Sequence, residues 1–246
     1  MRNIFIVAAF VVLISGALAA QDPDYYVNTQ DGFKVMFPSQ PAVATTTWKS
    51  QQGYMLPARV YTVDRGREHY AVTVADYSNI ENMAKEKVKT CPAGAPTCNG
   101  NDLTGVGYWK HDTRGAIINA VFRFTQRDAK LTDLLWSQHD NVEGYELQMT
   151  NNADQARTYA YITMHQMKLY IVEATVPRNN PPATLYQTSF TWVDRDGNGI
   201  RYATIYNNEF HGMMPNLYPV PAHAGAAAGA GRGAGAGRAG GAGRGN

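Results

Sequence analysis

Between residues 33 and 75 apolar and polar positions change places over short distances, the pattern of half-buried strands. Phe33-Lys34-Val35-Met36-Phe37 runs into Pro38, a Thr-rich β-type stretch covers 42–49, and two more strands are predicted at 59–63 and 69–75. The last two are separated only by Asp64-Arg65-Gly66-Arg67, a short polar connection with a glycine, which predicts a hairpin. The period then changes. Over 79–89 the residues Ile80, Met83, Ala84 and Val88 fall at helical spacing, Ser78 or Asn79 offers a cap, and Thr90-Cys91-Pro92 stops the run. A second helix is predicted over 116–127, with Ile117, Val121 and Phe124 on one face and Ile118 and Phe122 beside them. Strand patterns return at 131–138, 143–149, 157–165 and 168–176, and Gln166-Met167 joins the last pair as another hairpin. Pro181-Pro182 can open a helix running to about Phe190, and a final strand is predicted at 200–206. Strands that neighbour one another in sequence, with helices inserted between them, predict an α+β domain built on a single antiparallel β-sheet flanked by helices.

The two ends read differently from this body. Met1-Arg2-Asn3, an apolar run over 4–14 and the small residues Ser15-Gly16-Ala17-Leu18-Ala19 have the order of a secretory signal peptide over 1–19, cut so that Ala20 begins the mature chain. The apolar run is too short to span a bilayer, so no transmembrane segment is expected after cleavage. Residues 222–246 hold ten Gly, ten Ala and three Arg, too little apolar surface to offset backbone entropy, and are expected to be a disordered tail. A single globular domain over 20–221 is left between them. The 246 residues carry a formal net charge of +2. With Arg2 and the three tail Arg removed, 18 bases face all 20 acids, so the body is mildly acidic and the positive charge lies in the tail. Nucleic acid is therefore not an expected partner of the body. Cys91 and Cys98 bracket a turn-rich insert, and in an exported chain they are expected to close one local disulfide.

The order of elements resembles the PsbP-like family of small exported α/β/α sandwich proteins. The resemblance rests on the strand Phe33-Lys34-Val35-Met36-Phe37-Pro38 followed by Pro41, the strand pair at 58–63 and 69–77, the helix after it, and the hairpin over 159–176 that leads to a helix ending near Ser189-Phe190. It covers about 25–206 and implies an exported, non-enzymatic accessory or binding protein with an envelope or extracellular partner. The Gly/Ala/Arg tail is no part of that pattern.

Candidate chemistry is sparse. Asp194-Arg195-Asp196-Gly197-Asn198-Gly199 matches the first half of an EF-hand loop, so Asp194, Asp196 and Asn198 are candidate Ca²⁺ ligands. The loop's second half departs from the motif: Ile205 stands where a bidentate Glu is needed, so the string reads first as a turn and at most as a weak calcium site. No other cofactor is implied. Glu173 interrupts the apolar strand 169–176 on the face of Leu169, Ile171 and Thr175, where a carboxylate must pair with a Lys or Arg or line a ligand cleft. His69, His111 and His139 each adjoin an acid, yet strand alternation sends adjacent side chains to opposite faces. A hydrolase is then left only as a site assembled in three dimensions. Tyr25, Tyr26 and Tyr108-Trp109 fall near loops, where they could stack on a sugar or a partner. Arg232, Arg238 and Arg244 give a third reading, a surface or matrix protein that touches polyanions through its tail.

Overall fold

A computed structural model describes residues 25–90, 108–206 and 220–221. The expected leader, Cys91, Cys98 and the tail with its three Arg lie outside them. Two sheets form, not the single sheet expected. The larger has seven strands, all antiparallel, in the order β3-β4-β5-β9-β8-β7-β6: β3 (Ala42–Lys49), β4 (Met55–Arg65), β5 (Glu68–Asp76), β6 (Ala129–His139), β7 (Val142–Asn151), β8 (Arg157–His165) and β9 (Lys168–Val176). A smaller sheet orders β1 (Tyr26–Asn28), β2 (Phe33–Val35), β10 (Thr191–Val193), β11 (Gly199–Arg201) and β12 (Val220–Pro221). The second sheet exists because β10 pairs with β2, Thr191 opposite Lys34 and Trp192 opposite Phe33, joining segments from the two ends of the domain.

Two meanders build the large sheet: β3-β4-β5 from the first half of the chain and β6-β7-β8-β9 from the second. They meet where β5 pairs with β9, Val72 opposite Val172. β8 and β9 are covered on both faces, which is why their sequences are nearly continuous runs of buried residues.

Each face has its own core. On one side α1 (Ile80–Lys89) and α2 (Tyr108–Thr125) lay Ile80, Ala84, Ala116, Ala120 and Phe124 against Leu56, Leu147, Ile162, Leu169 and Ile171. The small Ala116 and Ala120 let α2 approach the strands closely, and Ile118 and Phe122 are left outward. Asn79 stands at the start of α1, yet its side chain does not cap the helix; its Oδ1 accepts a hydrogen bond from the Asn82 amide at 2.9 Å. On the other side the small sheet and α3 (Thr184–Ser189) bury Phe33, Val35, Tyr186, Phe190 and Trp192 against Tyr61, Tyr70, Val72, Tyr161, Tyr170 and Val172. The second outer layer is thus mainly β, in place of the helices of the expected α/β/α sandwich.

Aromatic rings dominate this second core. Phe33 lies 5.1 Å from Tyr61 and 5.6 Å from Phe190, and Trp192 lies 5.0 Å from Tyr170 and 5.1 Å from Phe190, most of them edge-on as ring quadrupoles favour. Two hairpins are closed by residues in left-handed conformation, Asp140-Asn141 and Gln166-Met167. A Cβ on Gly144 would lie 2.5 Å from the Ile162 carbonyl oxygen and 2.7 Å from the Tyr161 ring, so only glycine fits between β7 and β8.

Replacing Phe33 by Ala removes the ring shared by both sheets. It is expected to cost about 3–5 kcal/mol in urea unfolding. The exposed Val43→Ala should fall within about 0.5 kcal/mol of the parent, and equal losses would mean that the rings do not carry this face.

Candidate functional site

The hairpin of β1 and β2 crosses one face of the large sheet and is held at its turn by a buried acid. Asp31, with no solvent-exposed surface, forms a two-pronged ion pair with Arg59 of β4 and accepts the Tyr61 hydroxyl at 2.5 Å. The Lys168 ammonium lies 3.2 Å from its carboxylate, and the Tyr170 hydroxyl donates to its carbonyl at 2.6 Å. Burial works to raise the Asp31 pKa. The hydrogen bonds from Arg59 and Tyr61 and the charges of Lys168 and Arg59 outweigh it and hold the carboxyl below its ordinary value.

At the hairpin's other end lies an open groove of about 580 Å³. Tyr25, Tyr26, Phe37 and Pro38 supply one wall, Arg65, Glu68 and Tyr70 from the β4–β5 hairpin another, and Pro181, Pro182, Leu185 and Tyr186 a third. The rings support one another: Phe37 is 5.8 Å from Tyr26 and 5.4 Å from Tyr186, and Tyr186 is 5.1 Å from Tyr70. Met36 is fixed by its N–H, which donates to the Ser189 hydroxyl at the end of α3. The Tyr186 hydroxyl is buried without a hydrogen-bond partner among the described residues, and burial pushes its pKa well above the usual value. A polar atom in that position carries a cost of about 1–3 kcal/mol unless it is satisfied.

A second groove, of about 540 Å³, shares Arg65 and Glu68 with the first and adds Arg67, Arg178, Asn180 and Asp154. Glu68 accepts the Asn180 amide at 2.6 Å, which lowers its pKa. The two grooves form one surface, aromatic and proline-rich at one end and arginine-rich at the other.

Of the residues singled out from the sequence that lie among the described ones, Tyr25 and Tyr26 line the groove, and Glu173, Asp194, Asp196 and Asn198 do not. Glu173 meets Arg127, just past α2, through two hydrogen bonds at 2.5 and 3.1 Å and lines neither groove. Asp194 accepts the N–H groups of Asp196 and Asn198 at 2.9 Å each, and its second oxygen accepts the Asn198 amide at 3.2 Å. Gly197 takes a positive φ of 85°, as the turn requires. Both carboxylate oxygens are thus engaged by their own loop. Among the described residues no group of three or more His, Cys, Asp or Glu side chains is placed to hold a metal ion.

One polar cluster went unread in the sequence. Strand alternation was expected to part His139 from Asp140, but β6 ends at His139 and Asp140 sits in the left-handed turn, so both border one open depression with Ser137 and Glu146. The Ser137 hydroxyl donates to Glu146 at 2.6 Å, and His139 Nε2 lies 3.5 Å from that same oxygen. Serine and histidine both turn to that carboxylate oxygen, and no hydrogen bond joins Ser137 to His139. A nucleophilic serine needs the histidine beside it and the acid behind, so His139 is not placed to take the Ser137 proton.

No protein-family model and no curated protein matches the chain. It is similar to the solution structure of cyanobacterial PsbP (CyanoP) from Synechocystis sp. PCC 6803, at 15% identity over 68% of this chain and 91% of that one, with a TM-score of 0.37. That is the family which the order of elements resembles. Among the described residues no helix is long and apolar enough to cross a membrane.

Removing the Asp31 carboxylate leaves Arg59 and Lys168 without their partner, and Asp31→Ala is expected to lose about 3 kcal/mol in urea unfolding at pH 7, the lower end for a buried pair because both cations reach water. Since the folded pKa is depressed, this stabilisation is complete above the unfolded value of about 3.9 and is lost as pH falls through the folded one. The gap between parent and variant should stay full down to about pH 4 and narrow progressively below it; a gap of constant size down to about pH 2 would refute the ionic account. Millimolar Ca²⁺ against EDTA should leave the melting temperature unchanged, and a calcium-dependent rise abolished by Asp194→Ala would establish the loop as a site.

Proposed function

We propose that the chain is an exported, non-enzymatic binding protein, and that the groove between β1, the β4–β5 hairpin and α3 receives an extended polypeptide of an envelope or extracellular partner. The leader over 1–19 supports export, and in an oxidising compartment Cys91 and Cys98 close the local disulfide. The observation that carries the reading is the groove itself: a trough of mutually braced rings and prolines with a buried, unpartnered Tyr186 hydroxyl beneath it. Flat aromatic faces flanked by proline suit a polyproline II segment, which loses little conformational entropy on docking. Arg65 and Glu68 at one end supply the polar contacts that would fix direction. No arrangement beside Ser137 or Glu173 competes with this as a reactive centre, which leaves binding as the better-supported role.

Decaproline titrated into the labelled protein is expected to shift the resonances of Tyr25, Phe37 and Leu185, with chitotriose run in parallel as the sugar probe. Leu185, 68% exposed, can be changed without disturbing the core, and Leu185→Asp should weaken peptide binding about tenfold by placing a charge on the apolar rim. Shifts with chitotriose alone would replace the peptide by a saccharide. The absence of shifts with either probe would sink the groove as a binding site.

A further inference from the structure

We propose that the chain forms a two-fold dimer in which β6 pairs antiparallel with β6 of a second copy, continuing the seven-stranded sheet across the pair. β6 is the outermost strand and hydrogen-bonds only to β7, so one side of an eleven-residue strand offers its N–H and C=O groups with no strand beside it among the described residues. Natural edge strands are blunted by lysine, proline or shortness. From Asp133 to His139 this one has no proline and no lysine, and its one irregularity, a bulge between Leu131 and Asp133, lies at its start.

Its side chains are also unlike those of a solvated edge. Leu134 and Trp136 stand opposite Leu147 and Tyr145 on the face that carries the helices, and remain 43% and 49% exposed. Leu135 points to the other face at 43%. Ile118 of α2, 55% exposed, lines the same groove as Trp136, and Phe122 one turn further on is 59% exposed. The apolar surface therefore runs from the strand edge up onto the helix.

A second copy fits this edge in one register better than in others. A two-fold axis normal to the sheet keeps each face on its own side, so helix-face residues must oppose helix-face residues. Centred on Leu135, the pairing sets Leu135 against its own copy and Leu134 against Trp136 twice. Moved by one residue either way, the register that preserves faces puts Trp136 opposite the bulge residue Thr132 or Leu134 opposite Gln138. The antiparallel arrangement also brings the Lys130 end of each strand to the Asp140 end of the other, opposite charges at both ends of the ribbon. β3, the other edge, reads Ala-Val-Ala-Thr-Thr-Thr over 42–47 and offers no comparable apolar match. Pairing of β6 with β3 would be head-to-tail and would give a ring or an open filament in place of a two-fold dimer.

The test is sedimentation equilibrium of the chain from Ala20 onward, tail included, with Leu135→Lys beside it. The parent is expected to be a dimer, and the variant, with two lysines facing at the axis, to dissociate with a Kd raised roughly tenfold or more while keeping its circular dichroism. Hydrogen exchange of the parent needs no variant: the amides of 133–137 should lose protection on dilution through the dimer Kd while those of 42–49 stay constant. A monomeric parent overturns the proposal, as does a dimer that Leu135→Lys leaves intact. A mass that keeps growing with concentration also overturns it, in favour of β6 on β3. If Leu135→Lys fails to fold, the exchange result decides, and concentration-independent protection at 133–137 refutes the pairing.

Discussion

A carboxylate removed from water must be compensated or it will not stay ionised, and Asp31 is compensated by residues from two strands of the other sheet. Arg59 and Tyr61 come from β4 and Lys168 from the start of β9, while the Tyr170 hydroxyl donates to the Asp31 backbone carbonyl beside them. Those four groups are specific in direction, so they fix where the β1–β2 turn lies. The hairpin's position in turn sets Phe33 against Phe190 and Tyr61, and places Tyr26 and Phe37 at the far end as the wall of the groove. Apolar packing alone would hold the small sheet on the large one with far less constraint on its angle. The buried charge supplies the orientation, and the rings supply most of the adhesion.

The seven-stranded sheet divides its labour by depth. Its central strands β5, β8 and β9 are sealed on both faces and serve as scaffold. Toward the turns of β4–β5 and β9–α3 the layers separate, and there the polar and aromatic surface opens. The open grooves thus gather at strand ends, where backbone geometry is relaxed enough to present several elements at once.

Much of this was legible in the chain itself. The hairpin at 157–176 could be read because strands buried on both faces need continuous apolar sequence, and a two-residue connection leaves one pairing open to them. β1, β10 and β12 could not, since strands of two or three residues carry no period and owe their existence to a distant partner. The same long-range pairing of Trp192 with Phe33 turned one expected sheet into two. Asp31 showed only an Asp-Gly turn, and nothing in its neighbours announces Arg59 or Lys168. For the groove, Tyr25-Tyr26 and Pro181-Pro182 were each visible, but the proline pair reads as a helix opener until folding brings it across from the tyrosines. His139 and Asp140 misled because alternation fails at the residue where a strand ends.

The junction of β5 with β9 has a kinetic side. Every other pairing in the large sheet joins strands that follow one another in sequence and can close as local hairpins. This one must bring Ala75 to Leu169 and His69 to Thr175 across the whole stretch that holds α1, α2 and three strands. Closing so long a loop is the entropic bottleneck of the topology, and it precedes the two-sided burial that rewards it. The two meanders can each reach a partly ordered form early, while the native sheet waits on a single seam. Substitutions along that seam, at Val72 or Val172, would slow folding itself, whereas changes in the outer strands would chiefly hasten unfolding.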